Sequence, residues 1–191
     1  MAEMRAPHDE PRMSGSIVTE HRSLFDERFG AGFVAQALGA IDAEARREFE
    51  EARPGGWVRL STVESVYGAL AAALGRTVAD LHVEIGRRGI ERTLKTVWRM
   101  LLRITTDSAL ITRTPVLFSK SFDRGHLEAK IPTAGYAEIT LSAWPDVGEF
   151  PLRSLCNGVG TVLRLAGRRD VDVRVAERRA DGALLTATWR A

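Results

Sequence analysis

The chain has 191 residues, 45% of them hydrophobic, which is enough to bury a sizeable core and suits one domain better than two. Its 27 Lys and Arg nearly cancel 25 Asp and Glu, which excludes the strongly basic class whose overall charge predicts nucleic-acid binding. Cys156 is the only cysteine, so an internal disulfide and a Cys-rich zinc site are excluded. The lone thiol fits a reducing cytosol, and no stretch approaches the ~18 apolar residues of a membrane span, so the chain reads as cytoplasmic.

Met1 to Gly15 is rich in Pro, charge and small residues and reads as a disordered lead-in, with a single α+β domain expected from residue 16 to 191. Ser23 to Ile41 carries Leu24, Phe25, Phe29, Phe33, Val34 and Leu38 at helical spacing, and Gly30 and Gly32 are expected to break it in two. Asp42 is placed to cap a short charged helix that ends before Pro54-Gly55-Gly56. Ser61 and Glu64 form a capping box for a helix carrying Val63, Val66, Tyr67 and Leu70, which Gly75 stops. Thr77 caps the next and longest helix. On it Val83, Ile90, Leu94, Val97, Leu101 and Ile104 fall on one stripe, with Arg88, Arg92, Lys95, Arg99 and Arg103 nearly opposite.

Thr106 to Arg124 fits no single element, because Pro115 interrupts a helical pattern while Val116, Phe118 and Phe122 suit a helix end or a strand equally. From His126 the period changes to two. His126–Ile131 and Tyr136–Trp144 alternate as a hairpin around Pro132-Thr133-Ala134-Gly135. Pro151 to Ala166 returns to helix, with Leu152, Leu155, Val159 and Val162 on one side and Gly167 at its end. A second hairpin closes the chain. A three-residue loop, Ala180-Asp181-Gly182, would set Val173 opposite Trp189 and Val175 opposite Ala187. The expected architecture is therefore N-terminal helices packed on an antiparallel sheet, the second half reading ββαββ.

Several local phrases resemble an uncharacterised family, a domain of unknown function found largely as paralogues in myxobacteria. They are Leu24-Phe25 leading to Phe29-Gly30 and Leu38, then Trp57, Tyr67, Ile85-Gly86-Arg87-Arg88, the strand pair ending at Trp144, Leu165-Ala166-Gly167 and the terminal Trp189. The resemblance covers nearly everything after Ser16 and rests on packing residues and glycines. The order of elements is also similar to heme-nitric-oxide-binding and four-vinyl-reductase-type domains, which are ligand-sensing modules. That likeness implies a ligand pocket and a homodimer. The heme-binding members use a Tyr-x-Ser-x-Arg motif for the heme propionates and a proximal histidine. Here Tyr136 is followed by Ala137, Glu138, Ile139 and Thr140, so the motif is absent, and His82 is the one histidine in a suitable helical setting. It shares a helix edge with Gly86, Gly89 and Thr93, where a flat ligand or another backbone can come close. Small residues beside a histidine point first to tight helix packing.

No catalytic grouping emerges. Cys156 sits among apolar helix positions as a packing residue. Gly158-Val159-Gly160 lacks the third glycine, the Lys-Ser/Thr ending and the preceding strand of a phosphate loop. The expectation is a non-enzymatic regulatory or signalling domain without a cofactor, binding a small hydrophobic ligand between the long helix and the sheet or an unidentified partner protein. The pocket wall would include Leu94, Trp98, Phe118 and Ile139. One alternative is an interaction scaffold with a filled core, whose Arg88, Arg92, Lys95, Arg99 and Arg103 face an acidic protein partner rather than nucleic acid. The other is a heme or gas sensor that uses His82 as its metal ligand.

Overall fold

The computed structural model describes residues 10–93, 106, 109, 111 and 113–190. The chain is an α+β protein whose sheets are antiparallel, and it divides into two compact units, Met1–Leu81 with Ser121–Arg124, and His82–Lys120 with Gly125–Ala191.

The first unit holds β1 (Arg12–Ser14), α1 (Gly15–Phe29), α2 (Ala31–Leu38), α3 (Ala43–Glu50), β2 (Trp57–Arg59) and α4 (Leu60–Ala73). The stretch read as a lead-in is ordered from Glu10 onward, because Met13 pairs with Val58 and is itself buried, which gives these residues a ladder and a core position. Residues 1–9 lie outside the described residues. Gly30 separates α1 from α2 at φ 87°, a left-handed conformation that costs glycine nothing. The Asp42 carboxylate accepts the N–H groups of Glu44 and Ala45 at 2.8 and 3.2 Å, closing the start of α3 as its sequence predicts. The Ser61–Glu64 capping box does not form. β2 runs straight into α4, which starts at Leu60, and the Ser61 N–H is taken instead by the Glu10 carboxylate at 3.1 Å. Phe25, Phe49, Val66, Tyr67 and Leu70 fill the core, the Phe25 and Tyr67 rings meeting edge to face at 5.2 Å.

The second unit holds most of α5 (Val78–Thr93), then α6 (Thr114–Ser121), β3 (His126–Thr133), β4 (Tyr136–Ser142), α7 (Glu149–Leu165), β5 (Arg169–Arg179) and β6 (Gly182–Arg190). Thr77 caps α5, its hydroxyl accepting the Asp80 N–H at 3.1 Å. α6 resolves the ambiguous segment: Pro115 occupies its first turn, where a missing N–H is harmless. The four strands lie in the order β3-β4-β6-β5. Leu127, Ala137, Ile139, Leu141, Ala183, Leu185, Ala187 and Trp189 are buried, in alternation with more exposed residues. α7 packs on β5 and β6, with Leu152, Leu155, Val159 and Leu163 in its buried face.

The last hairpin departs from the expected register. Val173 pairs with Ala187 and Val175 with Leu185, not with Trp189 and Ala187, and the turn has two residues, Ala180-Asp181. A two-residue turn alone would bring inward Val175 against outward Thr186. The irregularity between Val175 and Glu177 absorbs one residue and restores apolar-to-apolar pairing. Gly182 is required there, since a Cβ would overlap the Leu141 carbonyl oxygen.

Candidate functional site

The site that stands out within the second unit is the seam between α5 and α7. On α7, Phe150, Ser154, Asn157 and Thr161 follow one another at spacings of four, three and four residues, so they share one face of the helix. Three of them meet α5. Ser154 Oγ lies 2.9 Å from His82 Nε2, the Phe150 ring tilts against the His82 ring at 4.4 Å, and Asn157 Nδ2 donates to the Val83 carbonyl at 3.4 Å. A Cβ on Gly86 would lie 2.7 Å from Asn157 Nδ2, and one on Gly158 would reach Ile90 at 4.0 Å. The pairings rise together along both helices, so α5 and α7 run parallel. Gly86, which left room beside His82, is approached by the neighbouring helix α7.

This placement corrects the predicted buried stripe of α5 at Val83, while Leu94, Val97, Leu101 and Ile104 of that stripe lie outside the described residues. Val83 is 46% exposed whereas His82 is buried, because the helix is turned to bring His82 and Gly86 onto α7. Burial, with Arg153 adding repulsion, lowers the His82 pKa to about 4, so its imidazole is neutral near pH 7. The last member of the α7 face differs from the others. Thr161 is 2% exposed, and its hydroxyl has no hydrogen-bond partner among the described residues.

Of the residues predicted to line a pocket, Phe118 is buried on α6 with its ring 6.3 Å from that of Trp144, and Ile139 is buried on β4. Leu94 and Trp98 lie outside the described residues, as do Lys95, Arg99 and Arg103 of the basic stripe. Arg88 pairs along its own helix with Glu84 at 3.5 Å, and Arg92 is exposed. Cys156 is half-buried, and burial pushes its thiol up to about 11, the setting of an unreactive thiol. Ser154, Asn157 and Thr161 were missed by sequence reading. Their polar stripe opposite Leu152, Leu155 and Val159 was the available signal.

For a heme, the described residues fit a bound group in one respect and not in another. His82 is occupied in packing: its Nε2 lies against Ser154 Oγ and its ring is packed on Phe150. His21 is buried in the first unit with its Nδ1 3.0 Å from the Tyr67 hydroxyl. On β4, Tyr136, Glu138 and Thr140 share one face by alternation, and the Tyr136 hydroxyl donates to the Glu138 carboxylate at 3.3 Å, so β4 itself presents a carboxylate there rather than a cation for a propionate. The Thr161 hydroxyl, with no hydrogen-bond partner among the described residues, is a buried polar group that a bound molecule would satisfy. Among the described residues no group of three or more His, Cys, Asp or Glu side chains is placed to hold a metal ion, and no helix is long and apolar enough to cross a membrane.

No family model matches the chain, and no curated protein matches it in sequence. Solved structures do match it. A mutant of the Fe(II) unliganded H-NOX (heme-nitric oxide/oxygen binding) protein from K. algicida is 13% identical, covers 94% of this chain and 97% of its own, and superposes with a TM-score of 0.68. A mutant T. Tengcongensis H-NOX gives 13% identity, 94% and 98% coverage, and a TM-score of 0.68. An oxygen-binding H-NOX domain related to soluble guanylate cyclases, in its oxygen complex, gives 13%, 94% and 96%, and 0.67. At this identity the likeness shows the fold, which the chain shares almost end to end. It also overturns the expectation that the chain takes no cofactor, because solved neighbours of this fold are heme proteins.

Proposed function

We propose that the chain is a non-enzymatic regulatory domain that senses a small ligand, and that the ligand is heme or a gas held through heme. The observation that carries this reading is the extent of the likeness: 94% of the chain and 96 to 98% of the H-NOX proteins superpose, so no part of the sensor fold is replaced by another module. The ligand wall is read from Phe118 and Ile139, with Leu94 and Trp98 completing it, and Arg88, Arg92, Lys95, Arg99 and Arg103 form the face offered to a partner protein. In this reading His82, whose Nε2 faces Ser154, serves as a packing residue on α7 and the iron takes another ligand.

Titration of the purified protein with hemin, followed by its Soret absorption, tests this. The expected result is saturable binding of one hemin per chain, with the same band position in His82→Ala as in the wild type. A protein that leaves hemin unbound overturns the sensor reading, and a band that moves in His82→Ala overturns the assignment of His82 as a packing residue.

A further inference from the structure

A helical threonine has a ready partner in the carbonyl three or four residues before it. Thr19 uses that route on α1, donating to the Gly15 carbonyl at 2.8 Å, and buried Thr62 reaches the Glu48 carboxylate at 2.5 Å. Thr161 is buried as deeply as Thr62, yet its hydroxyl has neither kind of partner among the described residues. Leaving a hydroxyl unsatisfied in an apolar interior costs about 1–3 kcal/mol, and buried groups in this state are few enough that each calls for a reason. Its position supplies one. Ser154 and Asn157, on the same face, each spend their polar group on α5, and Thr161 is one turn further along. Thr161 therefore continues the polar face of α7 beyond Asn157.

We propose that Thr161 is a ligand-binding residue, its hydroxyl making the hydrogen bond to an oxygen on the rim of the bound molecule, a carboxylate, carbonyl or hydroxyl. This rests on the ligand-sensing reading and deepens it, since it gives the sensed molecule a polar attachment point inside the second unit on a rigid helix. Thr161→Val keeps the shape of the side chain and removes only the hydroxyl, and Thr161→Ser restores it.

With hemin as the probe, Thr161→Val binds roughly 3- to 10-fold more weakly than the wild type, the worth of one net hydrogen bond. Thr161→Ser returns most of that affinity. Without hemin, Thr161→Val unfolds at the wild-type temperature or above it, because an unsatisfied hydroxyl has been removed. Equal hemin affinity in Thr161→Val and wild type overturns the proposal while leaving the sensor reading intact. So does a lower unfolding temperature of hemin-free Thr161→Val, which would mean that the hydroxyl is satisfied within the protein, and so does a Thr161→Ser as weak as Thr161→Val. A wild-type protein that does not bind hemin overturns both.

Discussion

His82 is a neutral, buried imidazole on the seam between α5 and α7, and its energetics can be read from solution pH. Its pKa is lowered to about 4 in the folded chain from an ordinary value of 6.5, so as pH falls the unfolded chain takes up the proton first. The native state is thus at full advantage above about pH 6.5, loses stability as pH falls towards 4, and loses no more from this group below that. The loss is on the order of 3 kcal/mol, and chemical denaturation at about pH 7 and about pH 4.5 measures it. His82→Gln should flatten the difference between the two conditions; an undiminished difference would show that other groups carry it. Cys156 gives a second check. With its thiol pushed up to about 11, alkylation by iodoacetamide near pH 8 should be slow in the native protein and rise on unfolding. Glu48 behaves oppositely: burial acts to raise its carboxyl, but hydrogen bonds from Thr62 and Arg59 outweigh it and hold the pKa below the usual range.

At the scale of elements, local signals were legible wherever one residue settles the geometry. Gly30, Asp42, Thr77 and the alternation of β3 and β4 all act where the sequence places them. What was not legible depends on partners far along the chain. The start of α4 is set by a carboxylate from Glu10, fifty-one residues away, which no capping-box pattern encodes. The β5–β6 register depends on an irregularity at Val175–Glu177 that has no residue signature, although the inward placement of Val173 and Val175 follows from alternation alone. The orientation of α5 is likewise decided by α7. Two substitutions test these assignments by thermal unfolding. Asp42→Ala should cost about 1 kcal/mol through the lost cap. Gly182→Ala should cost at least that, roughly 1–3 kcal/mol, because backbone must move to admit the Cβ; a neutral Gly182→Ala would contradict the tight approach of β6 to β4.

For the whole molecule, the likeness to H-NOX proteins at 12 to 13% identity explains why the order of elements was readable and the chemistry was not. Order and periodicity survive when nearly every residue is replaced, whereas a ligand site is a handful of side chains. Of the Tyr-x-Ser-x-Arg pattern that the resemblance implies, Tyr136 supplies the Tyr, while Glu138 and Thr140 stand where its Ser and Arg would be. The polar groups that α7 does present, Ser154, Asn157 and Thr161, carry no motif by which a sequence could announce them. The central claim is that this fold still holds a bound molecule. Native mass spectrometry of the protein purified from cells supplied with a heme precursor tests it most directly. One heme mass per chain, lost on denaturation, is the predicted result. A native mass equal to that of the bare chain, unchanged by denaturation, would contradict it.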